Sequence, residues 1–115
     1  MWGTQMRDLQ KFEKSNIQLV ELDWPLNAHW SDKTMKTVKQ VVDRGAKRII
    51  INMENVPFID SHGLAALLKG LGCLDSEQGD YSLVAPQPQA KLFLRVSKFD
   101  RVFRIYDNIG EATVS

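Results

Sequence analysis

The stretch Arg48–Leu71, RIIINMENVPFIDSHGLAALLKGL, decides the fold. It opens on three consecutive isoleucines, Ile49 to Ile51, whose β-branched side chains after the basic pair Lys47-Arg48 read as a buried strand. Pro57 keeps the polar connection that follows from becoming helix, because a proline pushes the residue before it to extended geometry. Leu64, Leu67, Leu68 and Leu71 then recur at the spacing of one helical face. Asp60 stands just before them as an N-cap, its carboxylate accepting an orphan backbone N–H of the first turn. Ser61 falls at the very start of that helix, at the edge of the sheet. A hydroxyl there can be exposed, and a phosphate added to it would face free N–H groups and the positive helix end. Ser61 reads as a switch serine.

Upstream of the strand, Ser31 can cap a helix over Asp32–Arg44, with an acidic first turn and a basic last residue that suit the macrodipole. Met35, Val38, Val41 and Val42 give that helix an apolar face, and Gly45 stops it. Ile17 to Leu22 alternates in part and reads as a strand. It would pair as an antiparallel hairpin, across a Ser15-Asn16 turn, with an edge strand over Met6–Glu13. Downstream, Gly70 and Gly72 each weaken the end of the second helix by about 1 kcal/mol relative to alanine. Ser76 to Asp80 is a polar loop, Tyr81 to Ala85 a strand stopped by Pro86, and Pro88 suits a first helical position. Leu92, Phe93 and Val96 are expected to give this third helix its core face. Val102 to Tyr106 is a final strand, and Asn108 caps a short closing helix around Glu111-Ala112. Strands alternating with helices imply crossovers, hence an α/β fold with a largely parallel sheet and the N-terminal hairpin as its antiparallel part.

At 115 residues the chain, 1–115, reads as one domain with a single core. Hydrophobic and charged fractions of 43% and 25% are those of an ordinary globular protein. Fifteen Lys and Arg against fourteen Asp and Glu leave a net charge of +1, with no overall footprint for nucleic acid. No run approaches the roughly 18 apolar residues of a membrane span, and Met1 to Gln10 does not read as a signal peptide. The single Cys73 fits a reducing cytoplasm, and with His29 and His62 far apart no metal or other cofactor is expected.

Asn52-Met53-Glu54-Asn55-Val56-Pro57-Phe58-Ile59-Asp60-Ser61-His62-Gly63-Leu64 is similar to the signature of STAS domains. More narrowly it resembles bacterial anti-sigma factor antagonists, whose strand–loop–helix joint reads roughly N/D-L-x-x-V-x-F-I/M-D-S-S/T-G-L. The likeness continues through Tyr81-Ser82-Leu83-Val84 and Pro88–Val96, and ends in Phe99-Asp100-Arg101-Val102-Phe103-Arg104-Ile105-Tyr106-Asp107. The resemblance implies a central, mostly parallel sheet with helices packed chiefly on one side. It implies partner switching: unphosphorylated, the protein would bind an anti-sigma factor, often a serine kinase of the histidine-kinase-like ATPase fold, and so free a sigma factor. The kinase would phosphorylate Ser61, and a PP2C-type phosphatase would restore it. A second reading keeps the module but sends it to a partner-switching pathway without a sigma factor. A third makes it an unmodified docking subunit of a larger complex, with Ser61 a plain helix-start residue.

The expected contact surface is Phe58, Asp60, Ser61, His62, Gly63 and Leu64, with Asn27 from the nearby loop around Leu26-Asn27. Asp60 serves as cap, as an orienting or contact residue, or as both. His62 stands where the family has Ser or Thr; adjacent helical residues point about 100° apart, so Ser61 and His62 form no catalytic dyad. No G-x-S-x-G elbow and no P-loop occur, and no enzyme activity is expected. Gly63 is either a helix-propensity defect or a cleared space for a partner's approach to Ser61, and Leu64 is either core or interface. Trp24 and Asn27 replace the Gly and Asp of the family's G-x-L-D motif. Trp24 and Trp30 either mark a partner surface or cover the core edge.

Overall fold

The structure, a computed structural model, describes residues 17–72 and 80–114. Among them, four strands, β1 (Ile17–Glu21), β2 (Arg48–Asn52), β3 (Asp80–Val84) and β4 (Arg104–Tyr106), form one sheet in the order β1-β2-β3-β4. All three pairings are parallel, with Ile17 against Arg48, Arg48 against Asp80 and Ser82 against Arg104. The expected edge strand Met6–Glu13 lies outside the described residues, and so does the antiparallel hairpin; the described sheet has no antiparallel part. Three helices make the crossovers: α1 (Ser31–Asp43), α2 (Ser61–Leu71) and α3 (Pro88–Val96). A fourth, α4 (Ile109–Val114), closes the chain.

The order explains the layering. Each parallel crossover is right-handed by strong preference, and here each steps to the next strand in the same direction. All three connecting helices are thereby laid on one face, whereas α4 follows the last strand and is free to cover the other. The core divides accordingly. Val20, Ile49, Ile51 and Leu83 pack with Val38 and Val41 of α1, Leu64, Leu67 and Leu71 of α2, and Ala90 and Leu94 of α3. A smaller cluster on the opposite face joins Ile17, Ile50 and Val84 to Ala112 of α4. β2 is central and buried on both faces, as its isoleucine run requires.

Two helix details depart from expectation. Ser31 is the first residue of α1 rather than its cap: its Oγ donates to the Ala28 carbonyl at 3.0 Å, closing a preceding 3-10 turn over Ala28–Trp30. More consequential, α3 does not turn Leu92 and Val96 to the core. Ala90 and Leu94 are fully buried, Phe93 is half-buried, and Leu92 and Val96 are 52% and 72% exposed. Apolar residues occupy positions 90, 92, 93, 94 and 96, so the sequence permits two opposite faces. The fold takes the face of Ala90 and Leu94, which join the core cluster.

Gly70 supplies the close packing between α1 and α2. A Cβ there would stand 2.8 Å from Val38 Cβ and 3.1 Å from the Met35 carbonyl oxygen, closer than carbon atoms rest in a packed core. Any larger residue there would overpack this contact, which opposes the gain in helix propensity from replacing glycine.

Candidate functional site

Parallel strands bring the loops that leave their C-terminal ends to one edge of the sheet, where α/β folds place their sites. Here two such loops are stitched together by backbone, and glutamine side chains from the third connection join them. Leu26, in the β1–α1 loop, forms an isolated parallel bridge with Ile59 in the β2–α2 loop. Its N–H donates to the Phe58 carbonyl at 2.9 Å, and its carbonyl accepts from the Asp60 N–H at 3.0 Å. From the first turn of α3, the Gln89 carboxamide grips Ile59 on both sides: Oε1 accepts from the Ile59 N–H and Nε2 donates to the Ile59 carbonyl, each at 2.9 Å. Gln87 Nε2 adds a bond to the Glu54 carbonyl at 2.9 Å. Ile59 itself is fully buried. The segment Phe58–Asp60 is therefore hydrogen-bonded on both sides as a strand is, although it lies beyond the end of β2.

Asp60 begins α2 as the sequence predicts. Its backbone is extended (φ −127°, ψ −172°), and Oδ1 accepts from the His62 N–H at 2.9 Å and the Gly63 N–H at 3.1 Å. Its carbonyl accepts the first α-helical bond, from the Leu64 N–H at 2.9 Å. Asp60→Ala should lower stability by about 1 kcal/mol through loss of the cap, read as a fall in the denaturation midpoint without change of slope.

Ser61 is exposed at the first helical position. The expectation that a phosphate there would meet free N–H groups needs revision, because two donors of the first turn are already taken by Asp60. A phosphoserine would keep the favourable helix end but sit beside a carboxylate. Its charge of about −2 would thus point outward, into whatever lies on this surface, rather than fold back onto the chain. His62 is exposed and stands 3.8 Å from Asp60, Nδ1 to Oδ1. Phe58 is 38% exposed and shares the rim.

Gly63 and Leu64 point inward. Leu64 is 5% exposed and belongs to the core. Gly63 is buried, and a Cβ built on it would fall onto the carbonyl of Leu26. The space glycine leaves open is filled by the chain's own β1–α1 loop, so its effect on the Ser61 surface is indirect. Asn27 follows the Leu26–Ile59 bridge directly and so lies beside the Asp60-Ser61 joint. Its Oδ1 accepts from the Trp30 N–H at 3.2 Å, capping the 3-10 turn.

The tryptophans build this loop's underside. Trp24 is buried, and its Nε1 donates to Thr34 Oγ1 at 2.8 Å. The Thr34 hydroxyl in turn donates to the Trp30 carbonyl at 2.9 Å. The two indoles stack with centroids 6.1 Å apart, and the Lys33 ammonium lies 4.4 Å from the Trp24 centroid. Trp24 thus covers the core edge, and Trp30 is half-buried against it. Beside this loop, a groove of about 270 Å³ runs between α1 and α2, lined by Ser31, Asp32, Met35, His62, Ala65, Ala66 and Lys69. Among the described residues no group of three or more His, Cys, Asp and Glu is placed to hold a metal. Gln89 and Thr34 were not singled out by sequence reasoning, and Leu26 was expected only as part of the loop around Leu26-Asn27. Leu26 acts through its main chain, which leaves no trace in a side-chain pattern.

The STAS domain model matches residues 8–112, nearly the whole chain. The chain belongs to the STAS domain family. A candidate anti-sigma factor antagonist of Thermotoga maritima is 30% identical over 86 residues, 75% of this chain and 74% of its own. The anti-sigma F factor antagonist of Paenibacillus polymyxa is 25% identical over 93 residues, 80% of each chain. The crystal structure of a candidate anti-sigma factor antagonist from T. maritima aligns with a TM-score of 0.77 at 26% identity, covering 85% of both chains. Within the STAS family, the similarity thus runs to the anti-sigma factor antagonists, and partner switching is consistent with it. Among its described residues this STAS domain has no helix long and apolar enough to cross a membrane.

Proposed function

We propose that this STAS domain is a phosphorylation-controlled partner switch. Unphosphorylated at Ser61, it binds an anti-sigma factor that is also a serine kinase of the histidine-kinase-like ATPase fold, and a sigma factor is released. The kinase transfers phosphate to Ser61 and ends the contact, and a PP2C-type phosphatase resets it. The chain itself acts in the cytoplasm as a binding module and not as an enzyme. The observation that supports this reading is the exposed Ser61 on a backbone clamped by Leu26 and Gln89. A kinase needs a reachable hydroxyl, and a switch needs the added charge to act on the partner rather than to rearrange the domain. A capped, stitched helix start supplies both.

The contact surface comprises Phe58, Asp60, Ser61 and His62 with Asn27 alongside, while Gly63 and Leu64 shape it from beneath. Phosphopeptide analysis of the protein from its own cells tests the reading: phosphate is expected on Ser61 under some growth conditions. Its absence under all of them would leave a docking module. The replacement of the family's Gly and Asp by Trp24 and Asn27 favours a second reading, in which the same switch serves a pathway with no sigma factor. The identity of what the captured kinase otherwise binds separates the two.

A further inference from the structure

The balanced net charge conceals an asymmetry. Residues 88–106 hold five of the chain's fifteen Lys and Arg residues, Lys91, Arg95, Lys98, Arg101 and Arg104, but one of its fourteen Asp and Glu residues, Asp100. Lys91 is engaged by Asp107 at 3.4 Å. Arg95, Lys98 and Arg101 are exposed, and they are interleaved in sequence with the aliphatic side chains that the fold leaves outside: Leu92, Val96 and Val102, the last 53% exposed. At 100° per residue, Leu92 and Val96 lie nearly opposite the buried Leu94, on the outer side of α3. The turn Phe99–Arg101 packs back on α3 and carries Arg101 and Val102 to the same end of the molecule.

We propose that this outer face of α3 and the turn after it form a docking surface for an anionic lipid bilayer. Cations alone would suit any polyanion, but a nucleic-acid backbone offers nothing to three exposed aliphatic side chains. Aliphatics set among Arg and Lys match the headgroup–acyl boundary, where the apolar groups sink and the long basic side chains remain at the phosphates. The surface is the convex back of a helix, which a deformable bilayer accommodates and which an acidic protein would have to meet with a groove of its own. Geometry also separates the far end of this surface from the proposed switch. α2 starts at the C-terminal edge of the sheet, whereas α3 ends, and β4 begins, at the N-terminal edge. The turn that carries Arg101 and Val102 therefore lies at the edge of the sheet opposite Ser61.

Co-sedimentation with vesicles of equal parts phosphatidylcholine and phosphatidylglycerol, and with phosphatidylcholine alone, tests this on the full chain. The wild type should bind the mixed vesicles and not the neutral ones, with affinity falling roughly tenfold or more as salt rises from about 0.05 to about 0.5 M. Arg95→Glu/Lys98→Glu/Arg101→Glu should abolish binding, and Leu92→Ser/Val96→Ser should weaken it roughly tenfold while keeping every cation. Both variants alter exposed side chains and should keep the wild-type melting transition. Ser61→Asp should bind vesicles like wild type, so this result stands or falls apart from the switch. No partition into the mixed vesicles, equal partition into both kinds, or undiminished binding by either variant would overturn the proposal. Binding to soluble polyglutamate without binding to vesicles would also overturn it, assigning the patch to an acidic protein.

Discussion

Gly63→Ala is expected to destabilise the domain by about 2–3 kcal/mol, and to lower its melting temperature by about 10 °C or more. Helix propensity argues the other way, since alanine should gain about 1 kcal/mol inside a helix. Packing outweighs it. The new methyl would fall onto the Leu26 carbonyl, which is at the same time the acceptor for the Asp60 N–H at 3.0 Å. Backbone cannot rotate away as a flexible side chain does. Either the start of α2 shifts or the β1–α1 loop lifts, and both routes break the Leu26–Ile59 bridge with its two bonds, to Phe58 and Asp60, each worth about 1 kcal/mol net. Thermal melting of the wild type and variant measures the loss; an unchanged or raised melting temperature would mean that the loop is not docked on the helix as described.

Ser61→Asp should do the reverse, leaving the fold intact and removing the partner. A carboxylate at the first helical position gains up to about 1 kcal/mol from the helix end, offset by repulsion from Asp60 beside it. The melting temperature should thus hardly move. At an interface the same charge is desolvated without a counter-ion, which costs about 3 kcal/mol or more, a loss of about a hundredfold in affinity. Ser61→Ala, with no charge, should bind as wild type does. Calorimetric titration against the anti-sigma factor captured by the wild type reads the difference. The contrast between adjacent sites is informative: Gly63→Ala injures stability, and Ser61→Asp injures binding alone.

Much of this was legible in residue types. The isoleucine run, the Asp60 cap, the leucine spacing of α2, Pro88 at the start of α3 and Asn108, whose Oδ1 accepts from the Glu111 N–H at 2.9 Å, all carry local physics that neighbours do not override. Elements depending on contacts distant in sequence were not. Apolar residues fill both sides of α3, so the sequence alone does not choose between the face of Leu92 and Val96 and the buried face of Ala90 and Leu94. Gly63 gave no hint of which group needs the space it leaves, because that group is a carbonyl 37 positions earlier in the chain. Trp24 stands out in a sequence as a candidate anchor, yet its indole N–H finds Thr34 inside the fold. The position of Asn27 beside the joint likewise depends on a backbone bridge without a sequence signature.

The central claim is that one phosphate on Ser61 decides whether the partner binds. It is tested most directly by measuring the affinity of the captured anti-sigma factor for the unphosphorylated protein, for the same protein phosphorylated at Ser61, and for the phosphorylated protein after treatment with a PP2C-type phosphatase. The account predicts tight binding, a loss of at least about a hundredfold, and full recovery. Equal affinity in the first two states would contradict it.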